Sequence, residues 1–230
     1  MKLSNPFADL TKFERGLYIA SVLSIIISFL LSGGQDALTI IASLIGVTAL
    51  IFVAKGYVIG QALTVVFAVL YGIISWFFRY YGEMITYLGM TAPIAALAVI
   101  SWMRHPYEGT KEVQVHRLTR GQFLFMAVSA VIVTAAFYFI LKALSNANLL
   151  FSTISVTTSY IASFFTYFRS PFYALGYAAN DLVLIVLWVL AAAEDPSCLP
   201  MIVCFAAFFA NDSYGFFYWR RMQTRQTKIS

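Results

Sequence analysis

The chain has 230 residues, 61% of them hydrophobic and only 11% charged, with a mean hydropathy of +0.81 and a formal net charge of +5, where an ordinary soluble domain carries about 25% charged residues. These figures exclude a cytosolic enzyme, a disordered tail, a collagen-like rod and, with two cysteines, a disulfide-stapled secreted module. What remains is an all-α integral membrane protein; at about 20 residues per crossing, eight crossings take about 160 residues and leave no soluble domain.

Asn5-Pro6 reads as a helix start, and Phe7, Leu10 and Phe13 at helical spacing predict a short helix in the membrane interface, with a frayed tail as the alternative. The first span runs from about Gly16 to Leu31. It is expected to be retained, because Asp9 and Glu14 interrupt the charged region and no small-residue cleavage site precedes the turn Ser32-Gly33-Gly34-Gln35-Asp36. The second and third spans, about Ala37 to Val53 and Tyr57 to Phe78, are punctuated only by Ala54-Lys55-Gly56. After the polar turn Arg79-Tyr80-Tyr81-Gly82-Glu83 comes the fourth, from about Met84 to Trp102. The segment Arg104 to Gln122 reads as a solvated, charged connector, followed by spans at about Phe123 to Leu141, Leu149 to Phe168, Phe172 to Ala193 and Cys198 to Trp219. Cys198 and Cys204 read as free thiols, and no metal or other cofactor is expected.

Placing the N-terminus inside puts thirteen of the Lys and Arg residues on the inner side and two, Arg79 and Lys142, on the outer side. That asymmetry supports eight spans with both termini cytoplasmic. It also accounts for the net charge as a basic rim facing anionic lipid, with no nucleic-acid partner.

Asn180-Asp181 followed by Trp188 recurs 31 residues later as Asn211-Asp212 followed by Trp219, and Trp76 and Trp102 close the third and fourth spans. Spans two to four (about 37–103) and six to eight (about 149–219) therefore read as two three-helix units, joined by the fifth (about 123–141). Two such units joined by one crossing must be parallel, a transporter architecture with its site near the midplane between the halves. Residues 1–35 form an N-terminal segment with an accessory helix, 36–222 the core, and 220–230 a basic cytoplasmic tail.

Asp181 and Asp212 lie within spans, where an unpaired carboxylate costs at least about 2.5–3.5 kcal/mol, so each is expected to face protein or a polar cavity. At 100° per residue, Tyr173, Tyr177, Asn180, Asp181, Leu184 and Trp188 fall within an arc of about 100°. Cys204, Phe208, Asn211, Asp212, Gly215 and Trp219 repeat that arc on the eighth span. Thr157 and its neighbouring hydroxyls on the sixth span, with Gln61, Tyr71, Trp76 and Tyr87 from the first half, are further site candidates. Each has a structural alternative: Asn, Gln, Ser and Thr also join helices, Trp76, Trp102 and Trp219 suit interfacial anchoring, and Asp212 is within reach of a structural pair with Arg220 or Arg221. Aromatic rings with carboxyls and carboxamides suit a flat, polar small molecule, neutral or cationic. No Lys or Arg is placed to bind a phosphate at midplane.

The segments Leu175-Gly176-Tyr177-Ala178-Ala179-Asn180-Asp181-Leu182-Val183-Leu184 and Asn211-Asp212-Ser213-Tyr214-Gly215-Phe216-Phe217-Tyr218-Trp219-Arg220-Arg221 resemble the PnuC family of bacterial vitamin transporters. So does the tract from Tyr71-Gly72-Ile73-Ile74-Ser75-Trp76 through Tyr81-Gly82-Glu83 to Trp102, and the likeness covers about residues 35–222. The resemblance implies a SWEET-like 3+1+3 fold in the bacterial plasma membrane, facilitated uptake of nicotinamide riboside, trapping of the product by a cytosolic kinase, and assembly as a homotrimer. It also implies a Trp-x-x-x-Trp-x-x-x-Asn pattern on the seventh span, which here reads Tyr173-x-x-x-Tyr177-x-x-x-Asp181. That departure leaves thiamine, riboflavin and deoxyribonucleosides as alternative substrates, and Asp181 or Asp212 as the proton carrier of a symporter as an alternative mechanism. An enzyme using His105 and His116 is not expected, since the spacings of zinc proteases are absent.

Overall fold

Where hydrocarbon offers the backbone no water, every N–H and C=O must be satisfied within the segment, so apolar runs of this length become helices. A computed structural model describes residues 5–32, 37–146 and 148–229; Lys2 and the segment Gly33-Gly34-Gln35-Asp36 lie outside the described residues. Eight helices among the described residues are long and apolar enough to cross a membrane: α1 (Lys12–Leu31), α2 (Ala37–Ala54), α3 (Val58–Phe77), α4 (Tyr81–Arg104), α5 (Arg120–Ala143), α6 (Leu149–Tyr167), α7 (Phe172–Glu194) and α8 (Leu199–Ile229). Two begin on reciprocal capping boxes that the sequence carries as Thr-x-x-Glu and Thr-x-x-Gln, at Thr11 with Glu14 and at Thr119 with Gln122. Within α4, Pro93 has no N–H to donate backward, and the turn just before it, Tyr87–Thr91, widens to π geometry.

Six helices close a ring, α2 on α3, α3 on α4, α4 on α6, α6 on α7, α7 on α8 and α8 back on α2. The ring is thus closed by the packing of α2 on α8 and of α4 on α6. The accessory α1 leans on α2 and α8 from outside the ring, and α5 packs on α6 with most of its surface outward. Close approach depends on small residues: a Cβ on Gly176 would sit 2.9 Å from the Ala162 backbone, and one on Gly46 would sit 2.3 Å from the Phe208 ring.

The start of α1, the α2–α3 turn, the 105–118 segment and the end of α8 all meet at one end of the ring, called the terminal end below. That segment is exposed over most of its length, as expected of a solvated connector, but it is also tied into the bundle. Its carbonyls and amides join the turns, with Val113 N donating to Gly56 O at 2.9 Å and His116 N to Arg169 O at 3.1 Å. Glu112 is buried beneath the Tyr218 hydroxyl and the Arg225 guanidinium. Gln226 reaches Val115 N (2.8 Å) and Val113 O (3.1 Å), so residues 220–229 continue α8 as a docked helix instead of ending as a tail. The expected interfacial helix is instead a single 3-10 turn, Pro6–Asp9, because Phe7 finds the Phe52 ring 4.9 Å away and Leu10 is buried beside it.

Candidate functional site

Inside the ring, α7 presents Tyr177, Asn180 and Asp181, α8 presents Phe208 and Asp212, and α3 and α4 face them with Gln61, Thr64, Phe67, Tyr87 and Thr91. The small residues Gly46 and Ala49 of α2 complete the wall. The enclosed space is about 40 Å³, enough for a few water molecules, so a larger molecule enters only if the helices part.

Asp181 and Asp212 are 4% and 3% exposed, and both line the cavity from the adjoining helices α7 and α8. The ion pairs among the described residues, Lys55–Glu14, Lys111–Asp9 and Arg225–Glu112, lie at the terminal end and involve neither aspartate. Asp212 does not pair with Arg220 or Arg221: eight residues of helix put Arg220 about 12 Å further along the axis, and both arginines are exposed.

Gln61 Oε1, Thr91 Oγ1 and Asp181 Oδ2 are buried without a hydrogen-bond partner, and all three residues line the cavity. Such atoms are rare in folded proteins and costly unless something else meets them. Around them stand aromatic rings: Phe67 packs edge-on against Phe208 at 5.3 Å and Tyr87 at 6.1 Å. The Asn180 carbonyl oxygen accepts from Ser155 Oγ (3.1 Å) and Thr158 Oγ1 (2.9 Å), which orients its carboxamide beside Asp181.

Both ends of the cavity are stopped by tryptophan clusters. At the terminal end, Trp102 and Trp219 lie 5.3 Å apart and exchange braces between the two units, Trp102 Nε1 donating to Thr166 O at 3.0 Å and Trp219 Nε1 to Val53 O at 2.9 Å. Both are 0% exposed, so the expectation of interfacial anchors holds only for Trp76, which is 55% exposed. The anchoring pattern misleads here because an indole N–H can be satisfied as well by a helix-end carbonyl in the bundle as by a headgroup. At the opposite end, Trp188 is wedged between Phe78 (5.4 Å) and Tyr80 (5.3 Å) and donates to the Tyr71 hydroxyl at 3.0 Å. Burial pushes the Tyr80 hydroxyl up to about 12, so it serves this cluster as a neutral ring.

Of the residues named from the sequence, Gln61, Tyr87, Tyr177, Asn180, Asp181, Phe208 and Asp212 come together at the cavity. Tyr173 instead supports Trp219, ring to ring at 4.9 Å. Tyr71 and Trp188 belong to the stopper just described. Asn211 Nδ2 donates to Ser21 Oγ at 2.9 Å, tying α8 to the accessory α1, and Thr157 meets Thr134 at 2.7 Å, tying α6 to α5. The helical arc on α7 and α8 is therefore real, but neighbouring helices intercept its edges before they reach the cavity.

Sequence reasoning missed Glu83. Read as part of a polar turn, it lies in the first turn of α4, 2% exposed, where its Oε2 accepts from Ser155 Oγ at 3.2 Å. The single Ser155 hydroxyl lies within hydrogen-bonding distance of both Glu83 and Asn180 and donates to one of them at a time. An acidic residue two positions into a helix is a favourable N-terminal placement, and that preference was the available signal. Glu14 and Lys55 were likewise read only as flanking charges, yet they form a buried pair at 3.1 Å, with the Tyr214 hydroxyl donating to Glu14 at 2.6 Å.

Among the described residues no group of three or more His, Cys, Asp or Glu could hold a metal. Cys198 and Cys204 are buried free thiols. A family model described as Nicotinamide mononucleotide transporter matches residues 36–221. The nicotinamide riboside transporter PnuC of Neisseria mucosa is 26% identical over 193 residues, 81% of this chain and 73% of that protein. The protein of the same name from Haemophilus influenzae is 22% identical over 190 residues, 82% of this chain and 81% of that one. A crystal structure of the vitamin B3 transporter PnuC superposes with a TM-score of 0.83 at 22% identity, covering 94% of both chains.

Proposed function

The chain belongs to the nicotinamide mononucleotide transporter family, and from that premise we propose that this multi-pass membrane protein takes up nicotinamide riboside, or a closely similar nucleoside-like vitamin, by facilitated diffusion. The observation that carries the reading is the convergence of Gln61, Thr91 and Asp181, each with a buried unpartnered polar atom, on one aromatic-walled cavity midway between two stoppers. Flat rings stack on Phe67, Tyr87 and Phe208, a ribose hydroxyl donates to Asp181 or Gln61, and the carboxyl pair offsets a positively charged ring. No Lys or Arg lines the cavity, which favours an unphosphorylated substrate over a nucleotide.

Transport then needs one stopper to open while the other holds. The Trp102–Trp219 brace spans the two three-helix units, so parting them at the terminal end breaks both indole hydrogen bonds together. The excess of Lys and Arg at that end supports a cytoplasmic location for it. A cytosolic kinase that phosphorylates the product, and a homotrimeric assembly, fit this reading. No chemical step is assigned to the chain itself.

Calorimetry of the purified protein against nicotinamide riboside, thiamine, riboflavin and deoxyribonucleosides tests the substrate. Binding of nicotinamide riboside is expected, weakened at least tenfold in Asp181→Asn and Tyr177→Ala with the fold retained; unchanged affinity in both variants would remove the site assignment.

The placement of two buried aspartates, Asp181 and Asp212, on the same cavity supports a second reading, in which a proton carried on one of them moves with the substrate. Proteoliposomes without kinase separate the two: a plateau at equal concentrations means facilitated diffusion, and accumulation driven by an imposed pH gradient means coupling.

A further inference from the structure

A second pocket, of about 710 Å³, opens at the terminal end between the first turns of α5 and α7 and the extension of α8. Its polar wall carries Arg117, Arg120 and Arg220, and its apolar wall Phe123, Phe165 and Phe172. None of the three arginines is ion-paired among the described residues: Arg117 donates to Thr227 Oγ1 (3.3 Å), Arg220 donates to Gln223 Oε1 (3.1 Å), and every ion pair lies elsewhere. Three positive charges therefore converge on one concave surface with no carboxylate to neutralise them.

The level of the pocket matters as much as its charge. Arg120 and Phe172 are the first residues of two membrane spans, and Phe123 lies about 4.5 Å deeper along α5. Phe123 and Phe172 are 56% and 44% exposed, presenting apolar surface on the hydrocarbon side of the guanidinium groups. Positive charge at the membrane face directly above exposed rings is complementary to a phosphodiester carrying acyl chains. A free anion would use only the upper half of such a surface.

We propose that this pocket binds the headgroup of an anionic phospholipid, with Arg117, Arg120 and Arg220 on the phosphodiester and the acyl chains running along Phe123 and Phe172. Guanidinium groups suit this role because they offer planar forks of donors to phosphate oxygens. Among the described residues the connector α5 packs chiefly on α6. A bound headgroup joins its first turn to α7 and α8 and holds the connector against the second three-helix unit.

The test uses the full chain in neutral detergent, titrated with phosphatidylglycerol, with phosphatidylcholine of the same acyl chains, and with inorganic phosphate, reading bound lipid by native mass spectrometry and thermal stability in parallel. Phosphatidylglycerol is expected to bind and stabilise. Each of Arg117→Gln, Arg120→Gln and Arg220→Gln is expected to weaken it roughly five-fold, and the triple variant on the order of 100-fold. Arg104→Gln, at the same end but outside the pocket, should bind as the wild type does. The single variants keep the test decisive if the triple variant does not fold. Equal phosphatidylglycerol binding in the Arg117, Arg120 and Arg220 variants overturns the site. An equal loss in Arg104→Gln reduces it to diffuse attraction by a basic rim, and stabilisation by inorganic phosphate matching that by lipid makes it a site for free anions.

Discussion

Replacing both Trp102 and Trp219 by Phe should open the terminal end of the cavity more often while leaving the other end shut. Phenylalanine keeps a six-membered aromatic ring in each place but removes the pyrrole half of the indole, with the N–H that bonds to Thr166 O at 3.0 Å or Val53 O at 2.9 Å. The hydrogen-bond loss is therefore the least effect expected, and lost packing of the buried indoles adds to it. Neither carbonyl is stranded, since Thr166 O still accepts from Arg169 N at 3.0 Å and Val53 O from Gly56 N at 2.9 Å. Each lost bond therefore costs about 0.5–1 kcal/mol, the lower part of the usual range, without the larger penalty of an unsatisfied buried group. Two together give about 1–2 kcal/mol, or roughly a 5- to 30-fold shift in the open-to-closed ratio. A suitable reporter is Ala49→Cys, which places a thiol on the cavity wall, in a background with Cys198 and Cys204 replaced by Ala. The rate of modification by a membrane-impermeant thiol reagent applied from the terminal side should rise by at least that factor in the double variant. It should not change in Trp76→Phe, whose ring is exposed at the opposite end. An unaltered rate in the double variant would refute the idea that these two indoles hold the gate.

Three further outcomes follow from other contacts. Lys55→Met should destabilise the protein by about 3 kcal/mol because it leaves Glu14 buried without its cation, and adding Glu14→Gln should recover part of that loss in thermal melts; equal melting of single and double variants would mean that the pair carries no coupling. Gly46→Leu should drive side-chain atoms into the Phe208 ring, which a Cβ alone already approaches to 2.3 Å, costing about 1–3 kcal/mol and substrate affinity together; calorimetry on the folded variant checks the second effect. The hydrogen bond from Lys111 holds the Asp9 carboxyl below its ordinary value of 3.8. A lowered value in the folded state means the tie contributes above pH 3.8 and is lost as pH falls through the lower folded value. Hydrogen exchange of residues 105–113 should therefore gain protection with rising pH across that window in the wild type and not in Asp9→Asn.

Span number, span limits and the charge bias between the two ends were legible from the chain because each is a local property. A run of apolar residues must become a helix in hydrocarbon whatever surrounds it, and a Thr-x-x-Glu start caps α1 wherever that helix lies. The same holds for the arc on α7: a 3.6-residue period puts Tyr177, Asn180 and Asp181 on one face without knowledge of any neighbour. What lies opposite an arc is a different kind of fact. Asn211 and Asp212 are adjacent in sequence and about 100° apart on the helix. The first turns to Ser21 of the accessory helix and the second to the cavity, and only the positions of the neighbouring helices decide which is which. Glu83 was hidden for a related reason, since a carboxylate beside a turn reads as solvated until the helix it begins is packed against Ser155.

Composition alone thus determined that this is a membrane protein whose few intramembrane charges matter, because hydrocarbon penalises each of them independently of the fold. The tertiary structure decided which polar groups share the cavity, which only join helices, and which tryptophans close the two ends. Those roles depend on distances between segments far apart in the chain, such as Val53 and Trp219, and no local pattern encodes such a distance.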